Sequence, residues 1–137
     1  MCLRGASAVD DILNRHRNWK LRVLLVWAAV RGADTLGPPR GTYARIADRR
    51  VRQFWDRNLL LSQRMVRDIL ENPKLLPDSA EQVFRGTTIW DIAALFPPQA
   101  RWDASMPKAE FYGRPVSAVA PDLEKRLSEL IESRPER

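Results

Sequence analysis

Residues 21–30 read LRVLLVWAAV, and this stretch decides the fold. It carries one charge, Arg22, near its start, and it is rich in β-branched and aromatic residues, which is typical of a strand covered on both faces. The stretch is far shorter than the roughly 20 residues that a helix needs to span a bilayer. We therefore expect the first core strand of a domain that does not enter the membrane.

The same stretch also imitates a secretory signal, because basic residues precede it and small residues follow it. Two observations argue against that alternative. Asp10 and Asp11 lie upstream of the apolar run, and cleavage after it would remove the best candidate for a central strand. We therefore expect a cytoplasmic protein.

The segments on either side alternate between helix and strand. Residues 8–15 place apolar side chains at helical spacing after Ser7, a residue type that caps helices. A loop at 31–42, rich in Gly and Pro, leads through at most two helical turns at 43–48 to Val51–Asp56 (VRQFWD). The polarity of this second strand favours an edge position in the sheet.

The second half of the chain predicts two more strands and two more helices. Asn58 is a candidate cap for an amphipathic helix at 59–71. Residues 88–96 (TIWDIAALF) read as the next strand, and residues 101–103 (RWD) as its antiparallel return. Pro121 fits the first position of a closing helix.

This order predicts one α/β domain at 21–137, built on a mixed four-stranded sheet with flanking helices and preceded by an N-terminal helical extension at 1–20. The crossover rule makes the first two strands parallel, and the hairpin makes the later pair antiparallel. A chain of 137 residues buries enough surface to fold without disulfides. Cys2, the only cysteine, cannot form an internal disulfide.

Two strings, VRQFWD at 51–56 and WDIAALFPPQARW at 90–102, resemble uncharacterised bacterial thioredoxin-like proteins. With the element order, the resemblance covers residues 21–131 and implies a thioredoxin fold. The CxxC pair of that family would follow the first core strand, where this chain reads RGADT at 31–35. Thiol–disulfide exchange therefore lacks its nucleophile, and the resemblance implies a member without the redox site.

The implied fold would bring the end of the first strand towards the start of the third, where ligands bind in such sheets. The candidate ligand-binding residues there are Arg31, Asp34, Thr87, Thr88 and Asp91. Asp91 lies among apolar neighbours and needs a partner if it is buried. It is either a ligand-anchoring or acid–base group, or a structural carboxylate that pairs with an arginine or faces solvent.

The net charge of +6 is concentrated at 40–67, where eight arginines stand against Asp48 and Asp56. Asp56 is itself a candidate cap for the next helical turn. A basic surface made of Arg45, Arg49, Arg50, Arg52 and Arg57 could bind phosphates, with Tyr43 or Trp55 stacking on a base. No helix-turn-helix, zinc-finger or RNP string accompanies these residues, and a charge run is also typical of a solvated face.

No catalytic set is recognisable. The chain lacks GxGxxG, GxxxxGK[ST] and GxSxG, and His16 is its only histidine, so we expect no cofactor and no metal. The leading hypothesis is a non-redox, non-catalytic module that binds a small acidic ligand or a protein partner. The alternatives are a nucleic-acid-binding protein that uses the arginines of residues 40–67, and a small enzyme that uses Asp91.

Overall fold

The computed structural model describes residues 3–30, 36–80, 84 and 88–133. Its helices are α1 (Leu3–Arg15), α2 (Arg40–Tyr43), α3 (Leu60–Glu71) and α4 (Val116–Glu132). Its strands are β1 (Val23–Ala28), β2 (Val51–Asp56), β3 (Ala93–Leu95) and β4 (Phe111–Gly113). Two short 3-10 turns, Pro73–Leu75 and Asp78–Ala80, follow α3.

The strands form two separate two-stranded sheets, so the predicted four-stranded thioredoxin-like sheet is wrong. β1 runs parallel to β2, with Val23 opposite Val51. β3 runs antiparallel to β4, with Ala93 opposite Gly113. The mixed α/β character and the parallel arrangement of the first two strands are confirmed.

The β3–β4 sheet is shorter than predicted, because residues expected to pair in it form long-range hydrogen bonds instead. Asp91 has a left-handed φ of 51°, which ends extended backbone on the N-terminal side of β3. The predicted return strand at 101–103 does not form. Instead, the Trp102 indole donates to the Asp68 carboxylate at 3.2 Å, and the partner of β3 is β4, further along the chain.

One face of the β1–β2 sheet packs on α1 and on the segment between the strands. Its apolar cluster contains Ala6, Trp27 and Ile46, with Leu25 and Trp55 packed against them. The other face is open: Leu24 is 61% exposed and Phe54 is 48% exposed. The expectation that β1 is covered on both faces is therefore wrong for the single chain.

A second apolar cluster surrounds α3 and includes Met65, Ile69, Met106 and Tyr112. Asp68 is buried beside this cluster and accepts a hydrogen bond from the Met106 backbone N–H at 2.7 Å. Burial by itself would raise the pKa of Asp68, but hydrogen bonds from Met106, Arg64 and Trp102 outweigh it and hold the pKa below its ordinary value. This carboxylate therefore stays ionised and ties α3 to the 102–106 segment.

Two helices begin where aspartates that precede them in the chain accept hydrogen bonds from their first backbone N–H groups. Asp56 accepts from the backbone N–H groups of Leu60 and Leu61 at 2.9 and 2.8 Å, which confirms Asp56 as a cap and shows that the predicted Asn58 cap is wrong. Asp91 accepts from Val116 N–H at 3.2 Å. The closing helix therefore starts at Val116. Pro121, which was predicted to be its first residue, lies inside it.

α1 begins at Leu3, before the predicted cap, and packs along α4. The two helices approach closely at Gly5, where an added Cβ would lie 2.9 Å from Val116 Cβ. At the other end, Glu124 accepts hydrogen bonds from Arg15 at 2.8 and 3.0 Å and lies 2.6 Å from His16 Nε2. α1 is thus held at both ends of the contact.

We expect Gly5→Ala to lower the free energy of unfolding by about 1–2 kcal/mol, because overpacking at the helix crossing outweighs the better helix propensity of alanine. Gly41→Ala is the matched control, since no atom lies within 4 Å of its added Cβ. Urea unfolding of both variants checks the expectation. Equal stability of the two variants would contradict the close approach of α1 and α4.

Glu124 makes stability depend on acid pH. The hydrogen bond from Arg15 lowers the pKa of Glu124 from 4.5 to about 2, with His16 adding to the effect. This stabilisation is complete above pH 4.5 and is lost as the pH falls towards 2. We expect Glu124→Gln to lower the melting temperature at neutral pH and to make the loss of stability between pH 4.5 and 2 less steep. Asp122→Asn on the same helix should change neither.

Candidate anion-binding groove

An open groove of about 510 Å³ lies between the C-terminal half of α1 and the segment that leads into β2. We call it the arginine groove, and it is lined by Asp10, Asn14, Arg17, Arg45, Ala47, Asp48, Arg49 and Arg50. Its four arginines and two aspartates give a net charge of +2 when all are ionised. The groove therefore favours an anionic occupant.

Arg50 forms the fixed part of the groove, because every N–H of its guanidinium donates a hydrogen bond. Two bonds, from Nε at 2.9 Å and from a terminal nitrogen at 2.6 Å, go to the two Asp48 carboxylate oxygens. The others go to the backbone carbonyls of Leu13 at 2.8 Å, His16 at 2.7 Å and Trp19 at 3.2 Å. These are carbonyls at and beyond the end of α1, which need donors from elsewhere in the chain.

The Asp48 carboxylate is fully committed to this arrangement. Its side-chain hydrogen bonds to Arg50, with a further bond from the Arg50 backbone N–H at 2.8 Å, lower the pKa of Asp48 to about 2. The same pair raises the pKa of Arg50. Since the two charges neutralise each other, Arg50 supplies geometry to the groove and little attraction for a ligand.

Three other arginines supply the attraction. Arg17, Arg45 and Arg49 are exposed, and none of them forms an ion pair or a side-chain hydrogen bond with the residues that the structure describes. The second carboxylate of the groove, Asp10, accepts from the Asn14 amide at 3.0 Å. The groove thus presents guanidinium groups whose donors are available to carboxylate or phosphate oxygens.

The predicted basic surface separates into three places. Arg45, Arg49 and Arg50 meet in the arginine groove. Arg52 lies on the open face of the β1–β2 sheet. It alternates along β2 with Val51 and Gln53, which lie on the face that carries the apolar cluster. The last member, Arg57, follows the end of β2.

The aromatic side chains proposed to stack on a base are already packed. Tyr43 makes an edge-to-face contact with Trp27 at 6.4 Å between ring centroids. The Trp55 indole lies against Gly37, whose φ is 75° and whose added Cβ would be 3.2 Å from the ring. Base stacking on either ring would require part of this packing to open.

The predicted ligand pocket at the strand ends stays a prediction, because most of its residues lie outside the part of the chain that the structure describes. Arg31, Asp34 and Thr87 lie outside this part. Thr88 is exposed and lines a shallow groove of about 400 Å³ beside α3, and Asp91 is not part of that lining. The partner of Asp91 is the backbone at the start of α4, which is neither an arginine nor a ligand site.

Sequence reasoning missed the α1 side of the arginine groove. Asp10, Asn14 and Arg17 are spaced four and three residues apart, which places them on one face of a helix or just beyond its end. That spacing is the signal that could have identified them. It was obscured because the segment also carries Arg15 and His16, which point to Glu124 on α4 instead.

We expect Arg50→Lys to lower the free energy of unfolding by about 1–3 kcal/mol. An ammonium group cannot donate to Asp48 and to all three carbonyls at the end of α1, so several of these acceptors lose their donor. Arg49→Lys, one position away, keeps its charge and should stay within about 0.5 kcal/mol of the unmodified protein. Thermal unfolding by circular dichroism measures both. If Arg50→Lys were as stable as Arg49→Lys, Arg50 would not be holding the end of α1.

Among the residues that the structure describes, no group of three or more His, Cys, Asp or Glu side chains is arranged to hold a metal ion. Among the described helices, none combines the length and the apolar character required to cross a membrane.

Comparison with known proteins found no match: no protein-family model, curated protein or solved structure is significantly similar to this chain. The resemblance to thioredoxin-like proteins accordingly has no support from these comparisons.

Proposed function

We propose that this protein is a non-catalytic binding module that takes a small acidic ligand, bearing carboxylate or phosphate groups, in the arginine groove. The observation that carries the proposal is that Arg17, Arg45 and Arg49, none paired with a described carboxylate, line the same groove as the fixed Arg50–Asp48 pair. Guanidinium groups bind carboxylate and phosphate oxygens in a bidentate geometry, which gives orientation as well as affinity.

The size of the groove and its mixed charge favour a small ligand over a polymer. Its volume of about 510 Å³ lies within the range of about 300–1,000 Å³ typical of small-molecule sites. Asp10, whose charge no described arginine or lysine pairs, interrupts the basic lining and would repel the continuous phosphates of a nucleic-acid backbone. A compact anion can contact the arginines and avoid this carboxylate.

The other hypotheses have less support. Nucleic-acid binding would need Arg52 and Arg57 as well, and these residues do not line the groove. An enzyme centred on Asp91 would have to use a carboxylate that already caps α4. We further propose a cytoplasmic location, which is supported by the folding of the apolar stretch at 23–28 into β1.

The test is isothermal titration calorimetry with citrate and with inorganic pyrophosphate at low ionic strength. We expect binding of at least one of these probes, and we expect Arg49→Gln to weaken it by about tenfold, because one charge-assisted contact is worth roughly 1.5–3 kcal/mol at most. Arg57→Gln, outside the groove, should bind as the unmodified protein does.

Two results would overturn the proposal. One is an affinity for both probes that Arg49→Gln and Arg45→Gln leave unchanged. The other is tighter binding of a single-stranded oligonucleotide, with a steep salt dependence to which Arg52 and Arg57 contribute as much as Arg49. The second result would favour the nucleic-acid alternative.

A further inference from the structure

The outer edge of β1 carries backbone groups that no described part of the chain satisfies. Val23 N–H donates to Arg50 C=O at 2.9 Å, and Ala29 N–H donates to Asp56 C=O at 3.3 Å. Because a parallel ladder uses every second residue, the N–H groups of Leu24, Val26 and Ala28 point away from β2. Among the described residues, none of these three N–H groups has an acceptor.

The sequence of this edge is unsuited to solvent. β1 reads VLLVWA, without a charge, a proline or a glycine. Natural edge strands carry lysine, proline or bulges that prevent pairing with another chain, and β1 has none of these. Leu24, on the open face of the sheet, is 61% exposed. The strand therefore has the composition of a strand inside a sheet and the position of a strand at its edge.

We propose that the outer edge of β1 pairs with β1 of a second copy of this chain, antiparallel and across a two-fold axis. The result is a continuous four-stranded sheet in the order β2, β1, β1 of the partner, β2 of the partner. With the axis at Val26, the two Val26 residues exchange hydrogen bonds, and the Ala28 N–H meets the C=O of the partner's Leu24. The Ala28 C=O already accepts from the Val30 N–H at 3.0 Å, so its second lone pair accepts the N–H of the partner's Leu24.

A second copy is favoured as the occupant because β1 is complementary to itself about Val26. The larger Leu24 stands opposite the smaller Ala28, and the single charge near the strand, Arg22, stands opposite an apolar Val30. No like charges face each other across this edge, although the chain carries a net charge of +6. Strand pairing of this kind is isologous, so the same residues serve both copies.

Edge pairing also keeps the basic side chains of the open face apart. Arg52 lies on β2, beside Leu24 of β1. In the four-stranded sheet the two Arg52 positions are three interstrand spacings apart, roughly 14 Å, and offset by four residues along the strands, roughly 13 Å. The resulting separation of about 19 Å is more than twice the Debye length of about 8 Å, so the two charges are screened from each other. Stacking the two open faces on each other would instead bring these arginines into one apolar interface.

The test is sedimentation velocity on the full chain, with two variants that alter only this edge. We expect twice the mass of one chain for the unmodified protein. Leu24→Lys adds the kind of charge that blocks strand pairing, and Val26→Pro removes an N–H that the β1–β2 ladder does not use. Each should raise the dimer dissociation constant by about tenfold or more. Leu60→Lys, at an equally exposed leucine (64%) on α3, should remain dimeric.

A cross-link tests the register. In a Cys2→Ser background, Val26→Cys should form an intermolecular disulfide under mild oxidation, because opposed residues in a hydrogen-bonded pair have Cα atoms about 5.5 Å apart, within disulfide range. Leu60→Cys should not. A monomeric unmodified protein would overturn the proposal, and so would a dimer that tolerates Leu24→Lys and Val26→Pro or forms no Val26→Cys cross-link. Binding of anions in the arginine groove is measured separately and does not depend on this outcome.

Discussion

The hydrogen bonds donated by the Arg50 guanidinium are the interactions on which the first half of the molecule depends. Its donors reach Asp48, at the turn before β2, and the carbonyls of Leu13, His16 and Trp19 at the end of α1. A planar group with fixed donor directions can join these acceptors at once, which a flexible ammonium group cannot. The position of α1 relative to β2 is set by this side chain together with the apolar cluster of Ala6, Trp27 and Ile46, and the shape of the arginine groove follows from both.

Carboxylates have a corresponding structural role elsewhere. No single sheet connects the described part of the chain, and hydrogen bonds to aspartates join its separate elements instead. Asp56 accepts backbone N–H groups at the start of α3, Asp91 accepts one at the start of α4, and Asp68 accepts the Met106 N–H inside the second apolar cluster. A buried carboxylate is costly unless it is hydrogen-bonded, and Asp68 meets that condition with Arg64 and Trp102 as further donors. Asp56 and Asp91, two aspartates that the sequence singles out, thus have structural partners in the described part of the chain, whereas Arg17, Arg45 and Arg49 have donors available for binding.

The sequence predicted those features that have a local pattern. β2, the cap at Asp56 and the grouping of Arg45 with Arg49 depend on neighbours a few residues away, and the parallel relation of β1 and β2 follows from the general crossover rule. The four-stranded sheet was wrong because strand partners are chosen at long range. The Trp102 indole is bonded to Asp68, 34 residues earlier in the chain, and is unavailable as part of a return strand.

The same distinction explains the errors at the candidate site. Arg50 looked like one basic residue among several, because its backbone carbonyl acceptors lie 31–37 residues earlier and have no signature in the sequence. Arg17 was missed because it lies just beyond the end of α1 and not in the basic stretch at 40–67. Two segments of the chain form the groove. Its lining can be predicted from the sequence only when the residue spacing of both segments is considered together.

The apolar character of β1 and the basic character of the groove fit one arrangement. The groove lies at the start of β2, on residues 45–50, whereas the unpaired backbone groups of β1 face away from β2. Pairing through β1 would therefore leave both grooves open. Because the paired strands would run antiparallel, the two grooves would lie towards opposite ends of the sheet, too far apart for one small ligand to bridge. Each copy would then bind its own ligand, so affinity would be set within one groove, by Arg17, Arg45 and Arg49 acting on a single compact anion.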